Sequence, residues 1–427
     1  MYVKGYCHHA MTTQSGQIER GTKDYRHANL ALFIAGFVTF STLYTLQPLL
    51  PLLVVEFDVS PATASLALSV ATFALAWMLP VSGSFSDAHG RRVLMGVALV
   101  LTSLLALAAA FSTTMPSLLF VRLLQGAALA GVPAVAMAYL NDEMSPRAIG
   151  AAMGLYIAGN ACGGMAGRIL TSVLADHLPW RGAIAIIGIL ALLLSVLFWV
   201  MLPPSRHFQR RAFRIRPLSA SLISHLREPG LLCLFALAFL LMGGFVTLYN
   251  YVTFYLLAPP YSLSQSQVAL IFLAYAFGAC GSSIMGGLVE CIGRPRILYT
   301  ALVIMTTGIL LTLMAPLSAI VTGIIVFTIG FFGAHTVASA WVGARAATAR
   351  AQASSLYLLA YYLGSSVSGT GGGLIWSYWG WPGLVALILG LLALAGLVVL
   401  RLTTLAPLRT ERAATPGMAA RYGAAAE

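Results

Sequence analysis

Three side chains stand where an apolar chain has least use for them. Arg122 (in Arg122-Leu123-Leu124-Gln125-Gly126), Arg168 (after Gly163-Gly164-Met165-Ala166-Gly167) and His335 (in Phe331-Phe332-Gly333-Ala334-His335) each lie within a long apolar run. A charged group at the centre of a lipid-spanning helix costs roughly 2.5–3.5 kcal/mol on insertion scales, so it faces a cavity or a partner rather than lipid. Histidine changes charge near physiological pH, which makes His335 the first candidate to carry a proton. Each residue also has a plainer reading: Arg122 as a hydrogen-bond hub, Arg168 as a side chain snorkelling to nearby water, His335 as a neutral ring bonded to a carbonyl.

The carboxylates are placed differently. Glu19, Asp24, Glu56, Asp58, Asp87, Asp142, Glu143, Asp176, Glu228, Glu290, Glu411 and Glu427 all fall in a predicted loop, tail or span edge. A midplane that holds Arg122, Arg168 and His335 but no acid suits an anionic or neutral amphipathic cargo better than a cation. Tyr44, Gln47, Gln125, Asn160, Tyr249, Asn250, Tyr275, Tyr357 and Tyr361 are the polar and aromatic candidates to line a substrate path. Interfacial belts explain tyrosines at span ends, but these lie well inside. Thr328, Phe332, His335 and Ser339 share one helical face by spacing, as do Tyr357 and Tyr361.

Enzyme chemistry has no visible constellation. The only lysines are Lys4 and Lys23, so a phosphate-binding Gly-x-x-x-x-Gly-Lys-Ser/Thr loop is excluded, and neither a nucleophile elbow nor zinc spacing occurs. Cys7, Cys162, Cys233, Cys280 and Cys291 show no paired spacing and read as reduced packing residues. No cofactor or metal is expected.

These side chains need spans to hold them. Of the 427 residues, 59% are hydrophobic and only 8% charged, against roughly 25% charged in soluble domains; mean hydropathy is +0.88. A span takes about 20 apolar residues. The pattern predicts twelve: 28–53, 63–84, 93–111, 116–140, 147–173, 181–202, 231–257, 266–288, 297–315, 318–342, 352–376 and 382–402. The expected organisation is an N-terminal tail (1–27), a six-helix bundle (28–202), a basic linker (203–230), a second six-helix bundle (231–402) and a C-terminal tail (403–427). Pro48 and Pro51 are expected to close the first span, and Pro133 to interrupt the fourth. Glycines run down the fifth and eleventh spans, where they allow close helix packing or movement.

The net charge of +12 does not signal nucleic acid. Counting spans alternately puts nearly every arginine on one side, with Glu56, Asp58, Asp176 and Arg181 opposite. The positive-inside rule then predicts both termini in the cytoplasm, and the linker's arginines against anionic lipid heads. The tail before Arg26 lacks the features of a signal peptide, and Met11 is an alternative start.

One polar stretch occurs twice. Gly83, Asp87, Gly90, Arg91 and Arg92 lie between the second and third spans, and Gly286, Glu290, Gly293 and Arg294 stand at matching offsets between the eighth and ninth. Each copy reads as a tight turn with a positive anchor, a candidate gating loop. Shorter echoes support the halving: Gly36-Phe37-Val38-Thr39 returns as Gly244-Phe245-Val246-Thr247. The duplicated stretch resembles the loop between helices 2 and 3 of the major facilitator superfamily. Phe85 and Ala88 depart from that pattern, the latter removing a usual basic residue.

The resemblance implies an all-α membrane protein: two pseudo-symmetric six-helix bundles carrying a small molecule by alternating access. Arg122-Leu123-Leu124-Gln125-Gly126 resembles the Arg-x-x-Gln-Gly motif of its proton-coupled exporters, which implies a proton-coupling role for Arg122. Gly159-Asn160-Ala161-Cys162-Gly163-Gly164 resembles the Gly-Pro-x-x-Gly-Gly motif of drug exporters, with Asn160 in place of proline. The whole chain resembles the YnfM group of bacterial inner-membrane transporters, on stretches such as Gln47-Pro48-Leu49-Leu50-Pro51 and Gln352-Ala353-Ser354-Ser355-Leu356-Tyr357. It implies proton-coupled efflux of a drug, sugar or metabolite by a monomer in the inner membrane. Uptake of an organic anion with protons, and a membrane sensor or scaffold without transport, are the alternatives.

Overall fold

The computed structural model describes residues 17–208, 222–346 and 348–405; the side chains of Gly83, Ser84, Asp87 and His89 lie outside it, as does the stretch 209–221 of the basic linker. The described residues form twelve long helical segments and no strand. In chain order they are α1 (Lys23–Phe57), α2 (Pro61–His89), α3 (Arg91–Ala110), α4 (Met115–Glu143), α5 (Ile149–His177), α6 (Trp180–Met201), α7 (Pro229–Leu257), α8 (Gln265–Ile292), α9 (Arg294–Leu311) and α10 (Leu317–Arg345). The last two, α11 and α12, run through Arg350–Thr404 and separate at Gly380 (φ 58, ψ −149), a backbone region open essentially to glycine alone.

Polar residues set where the helices begin. Thr22, Ser60, Thr114 and Ser264 each accept a backbone N–H of the first turn that follows them, and Thr114 and Ser264 complete capping boxes with Ser117 and Gln267. Glu228 caps α7 through the N–H groups of Gly230 and Leu231 (3.0 and 2.5 Å) and pairs with Arg345 at the end of α10 (2.9 Å). Partial burial pushes the Glu228 carboxyl up, but Arg345 and the two amides outweigh it and hold the group below the ordinary glutamate range.

Proline acts as expected at one place and not at two others. Pro133 does break α4: one segment stops at Leu129 and the next starts at Pro133, because proline has no N–H to bond the preceding turn. Pro48 and Pro51, by contrast, do not close the first span. The chain tightens to a 3₁₀ turn at Gln47–Leu49 and then continues as helix to Phe57, both prolines falling in first-turn positions where the missing donor costs little.

The duplicated loops also differ from the predicted tight turns. Gly83 and Gly286 lie inside helices that run on to His89 and Ile292, so the connection shrinks to one residue in each half. Gly90 (φ 99) and Gly293 (φ 88) are those residues, and only there does the positive φ call for glycine.

Glycine also sets the closest helix contacts, with the same pairing in each half. Along α5, a Cβ added at Gly159, Gly163 or Gly167 would lie 2.3–2.6 Å from the backbone of Phe33, Phe37 or Ser41 on α1. The counterpart is Gly364 of α11, where an added Cβ would lie 2.1 Å from the Phe239 carbonyl oxygen on α7. In the first half an added Cβ at Gly126 of α4 would lie 2.1 Å from the Ala71 carbonyl oxygen of α2, and in the second one at Gly281 of α8 would lie 2.9 Å from that of Ile329 of α10. Helices in lipid gain nothing from burying oil against oil, so backbone approach supplies the packing. Large apolar side chains such as Trp77, Val200, Ile284 and Leu397 remain exposed at the perimeter, a surface that suits lipid and not water.

The two bundles meet along α1–α7, α2–α11 and α5–α8. Hydrogen bonds cross this seam on the side nearer the end that carries Phe57, Pro61, His177 and Leu257. They are Gln47–Asn250, Thr72–Ser366, Ser69–Thr370, Ser366 to the Ser69 carbonyl, and Asp176 to the amides of Gln265 and Ser266.

Candidate functional site

The break in α1 is where the site begins. Because the helix stops at Tyr44, the carbonyls of its last turn lose their intrahelical partners. Arg122 of α4 supplies them: Nη1 donates to the Thr42 carbonyl (3.2 Å) and Nη2 to that of Leu43 (2.6 Å), while Nε reaches the Ala67 carbonyl of α2 (2.7 Å). The Gln125 amide oxygen accepts from Nη1 as well, and its NH₂ donates to the Thr102 carbonyl of α3 (3.1 Å). A cation at a helix C-terminus also opposes the helix dipole favourably. Arg122 is 2% exposed, and its guanidinium is engaged by fixed backbone. It thereby positions Tyr44, the next residue along, and Gln47 one turn further on.

Arg168 is equally buried, at 2%, so the snorkelling reading fails: the side chain turns inward from α5 because acceptors await it there. Its Nε donates to the Gln47 amide oxygen (2.6 Å) and its Nη1 to the Gly164 carbonyl (2.5 Å). The guanidinium carbon lies 3.9 Å from the Tyr44 ring centre, 4.9 Å from Tyr275 and 5.5 Å from Phe272, distances at which ring quadrupoles stabilise a cation. Gln47 passes the contact on, its NH₂ donating to the Asn250 side-chain oxygen of α7 (2.7 Å). One chain of bonds thus runs from α5 through α1 to α7, across the seam.

From there an aromatic wall extends through the second bundle. Tyr275 meets Phe245 edge-on (5.6 Å), Phe245 stacks on Phe331 (3.8 Å), and Phe331 lies parallel to His335 (6.0 Å). Nδ1 of His335 is 3.0 Å from the Tyr357 hydroxyl, and its ring is 4.8 Å from that of Tyr361. Tyr249 bonds Thr328 through its hydroxyl (2.8 Å). His335, Tyr275 and Tyr361 keep partial access despite their depth in the bundle.

Eight of the residues expected to line a substrate path lie along this one network of contacts: Tyr44, Gln47, Tyr249, Asn250, Tyr275, His335, Tyr357 and Tyr361. Gln125 and Asn160 do not join them. Gln125 is held with Arg122 behind α1. Asn160 faces Gly36, where an added Cβ would be 2.2 Å from its side-chain oxygen, and it has no described bond to Arg168 or His335. Phe245, Phe272 and Phe331 escaped the sequence reading, because one more phenylalanine in an apolar helix carries no signal; the four-residue spacing of Phe245–Tyr249 and Phe331–His335 was the available hint.

The gating candidates sit at the opposite end. Arg91 pairs with Asp142 and lies over Phe208 (5.8 Å), Arg92 donates to the Trp199 carbonyl (2.8 Å), and Arg294 lies over Trp341 (5.9 Å). Glu290 is exposed. The side chains of Gly83 and Asp87 lie outside the described residues.

Asp176 marks a seal that was read only as a loop acid. Its carboxylate on α5 accepts from the N–H groups of Gln265 and Ser266 (3.0 and 2.7 Å) at the start of α8, in the other bundle. Anions at helix N-termini are stabilising, here by about 1 kcal/mol after allowance for exposure. Replacing Asp176 with Ala is expected to loosen this end about fivefold on that basis. A cysteine introduced at Ser65, in a background without native cysteines, should then react faster with a bulky thiol reagent. An unchanged rate would show that the carboxylate does not hold the seam.

Similarity to known proteins agrees with this architecture. The family profile of the Major Facilitator Superfamily matches residues 32–262. The chain is 47% identical over 378 residues to an uncharacterized MFS-type transporter, YybF, of Bacillus subtilis, covering 88% of this chain and 94% of that one. It is 45% identical over 385 residues to the inner membrane transport protein YnfM of Escherichia coli, covering 90% and 92%. The crystal structure of the nucleoside transporter NupG superposes with a TM-score of 0.75 at 16% identity, covering 88% of this chain and 99% of that one. With twelve helices in two paired bundles and relatives that are transporters rather than enzymes, this chain belongs to the major facilitator superfamily, as a multi-pass membrane transporter of small molecules.

Proposed function

We propose that the chain is a secondary active transporter that exports small organic molecules by alternating access, driven by proton entry. The carrying observation is the convergence of Arg168, Gln47, Asn250 and Tyr275 from both bundles at one seam. A cargo bound there touches parts that separate when the bundles rock, and only such differential contact lets a ligand shift the equilibrium between facing states. The bundles are assigned as 28–202 and 231–402, joined by the basic linker 203–230, and working as a monomer. The positive-inside distribution puts both termini in the cytoplasm of a bacterial cell, with the transporter in the inner membrane. On that orientation the state described is sealed toward the outside by Asp176 and by the Gln47–Asn250 bridge.

His335, bonded to Tyr357 and partly accessible, is assigned the carried proton, since no carboxylate lines this region among the described residues. Arg122 and Arg168 serve in this assignment by holding charge and geometry. The test is reconstitution into liposomes with an imposed pH gradient. Wild type should move a neutral or anionic aromatic probe against the proton flow, and His335→Gln should lower gradient-driven flux about tenfold or more while leaving gradient-free exchange in place. Full gradient-driven flux in His335→Gln would remove His335 as proton carrier. Flux in the same direction as protons would favour the uptake reading, for which the uncompensated Arg168 cation is the supporting observation.

A further inference from the structure

Resting on this transport reading, we infer that Arg168 is the cargo's charge-recognition group: it takes the carboxylate of an aromatic or similarly flat organic anion, which displaces Gln47 and so releases the Gln47–Asn250 bridge across the seam.

Of the three basic groups within the spans, Arg168 is the one placed to do this. Arg122 is committed to three backbone carbonyls and Gln125, and an incoming anion would have to strip a helix end to reach it. His335 is engaged with Tyr357. Arg168 instead has a neutral amide oxygen as its partner on the seam side, and no ion pair to it occurs among the described residues. A guanidinium buried without a counter-charge is an expensive arrangement unless something negative visits it.

The surroundings match an acceptor that is missing. Asn250 Nδ2 and the Tyr275 hydroxyl are both buried without a hydrogen-bond partner, and Asn250 is fully buried. Both can donate; neither meets an acceptor. Tyr275 thus brings a spare donor to within one ring contact of the Arg168 guanidinium (4.9 Å to the ring centre), and Asn250 holds a second on the far side of the Gln47 bridge, facing Gly369 of α11; a cationic cargo could satisfy neither. A carboxylate bonds a guanidinium through two parallel charge-assisted contacts, stronger than the single bond to an amide oxygen. The class of the cargo's body follows from the neighbours: the rings around Arg168 are those of Tyr44, Tyr275 and Phe272, aromatic surroundings that suit a flat apolar group.

The exchange has a mechanical consequence. Gln47 is oriented at both ends, by Arg168 on one side and by Asn250 on the other. When a carboxylate takes Arg168, the Gln47 amide loses the donor that fixes it, and its bond to the other bundle weakens. Occupancy and opening of the seam are thereby linked through a single side chain.

The test uses purified full-length protein with benzoate, benzamide and benzylammonium as probes, read by ligand-induced shift in melting temperature and by competition for transport in liposomes. Wild type should respond to benzoate and not to the other two. Arg168→Gln should weaken benzoate about tenfold to a hundredfold, the range for losing a charge-assisted pair, and Arg168→Lys should retain part of the preference for benzoate over benzamide. Gln47→Ala should tighten benzoate about threefold, because a competitor for Arg168 has gone. Folding of each variant is checked by monodisperse elution and an unliganded melt. Equal response to benzoate and benzamide in wild type, or benzoate binding unchanged in folded Arg168→Gln, overturns the anion site. Weakening by Gln47→Ala overturns the exchange with Gln47. Gradient-driven flux of benzamide in Arg168→Gln would leave the transport reading standing; absence of gradient-driven flux for every probe in wild type counts against that reading instead.

Discussion

Replacing Arg122 with Leu is expected to abolish the folded protein rather than merely uncouple it. Leucine fits the apolar surroundings, but it leaves the carbonyls of Thr42, Leu43 and Ala67 and the Gln125 amide oxygen without their donor. Each buried polar group left unsatisfied costs roughly 1–3 kcal/mol, and lipid around the bundle cannot supply water to replace the lost bonds. Several such groups add up to a large share of the roughly 5–15 kcal/mol that holds a typical domain together. Arg122→Lys should recover part of the loss, since one ammonium can reach some of the carbonyls but cannot match a planar fork. Size-exclusion elution and melting temperature in detergent would measure this. The motif likeness to proton-coupled exporters makes the opposite forecast: a stable Arg122→Leu protein, melting near wild type, whose flux no longer follows the pH gradient.

The second large effect is expected on the glycine face of α5. Adding one methyl at Gly163 places carbon 2.3 Å from the Phe37 carbonyl oxygen and 2.5 Å from its Cα, so α1 and α5 must separate along their whole contact. Overpacking of this kind costs about 1–3 kcal/mol for a methyl, and Gly163→Leu should prevent assembly of the first bundle. Gly154 provides the contrast on the same helix. Nothing lies within 4 Å of its added Cβ, so Gly154→Ala should be neutral or stabilise by up to about 1 kcal/mol through helix propensity. Melting temperatures of the pair decide the matter. Equal tolerance at both positions would mean that α1 and α5 are not as closely apposed as their backbones indicate.

The twofold organisation and the span positions were legible because a bilayer reads local composition. A run such as Trp180–Met201 is apolar enough to identify itself, and the matched Gly90-Arg91 and Gly293-Arg294 pairs mark where each half turns. What local reading misjudged were places where one residue serves a neighbour. Gly83 looked like part of a turn but belongs to a helix, because Gly90 alone supplies the positive φ. Pro48 looked like a stop, yet Arg122 caps the open carbonyls and the chain resumes its helix beyond the 3₁₀ turn.

From the sequence alone came the spans, their pairing into halves, the scarcity of acids in the interior and most of the polar side chains able to meet a cargo. The tertiary structure alone decided which of them do meet. Arg168 and Gln47 are separated by 121 positions, and Gln47 and Asn250 by 203; Asp176 and its amide partners come from different bundles. Span length is imposed residue by residue by the thickness of the lipid, whereas a buried donor's acceptor is chosen by how whole helices pack. That choice gives Arg122 to the scaffold and leaves Arg168 at the seam.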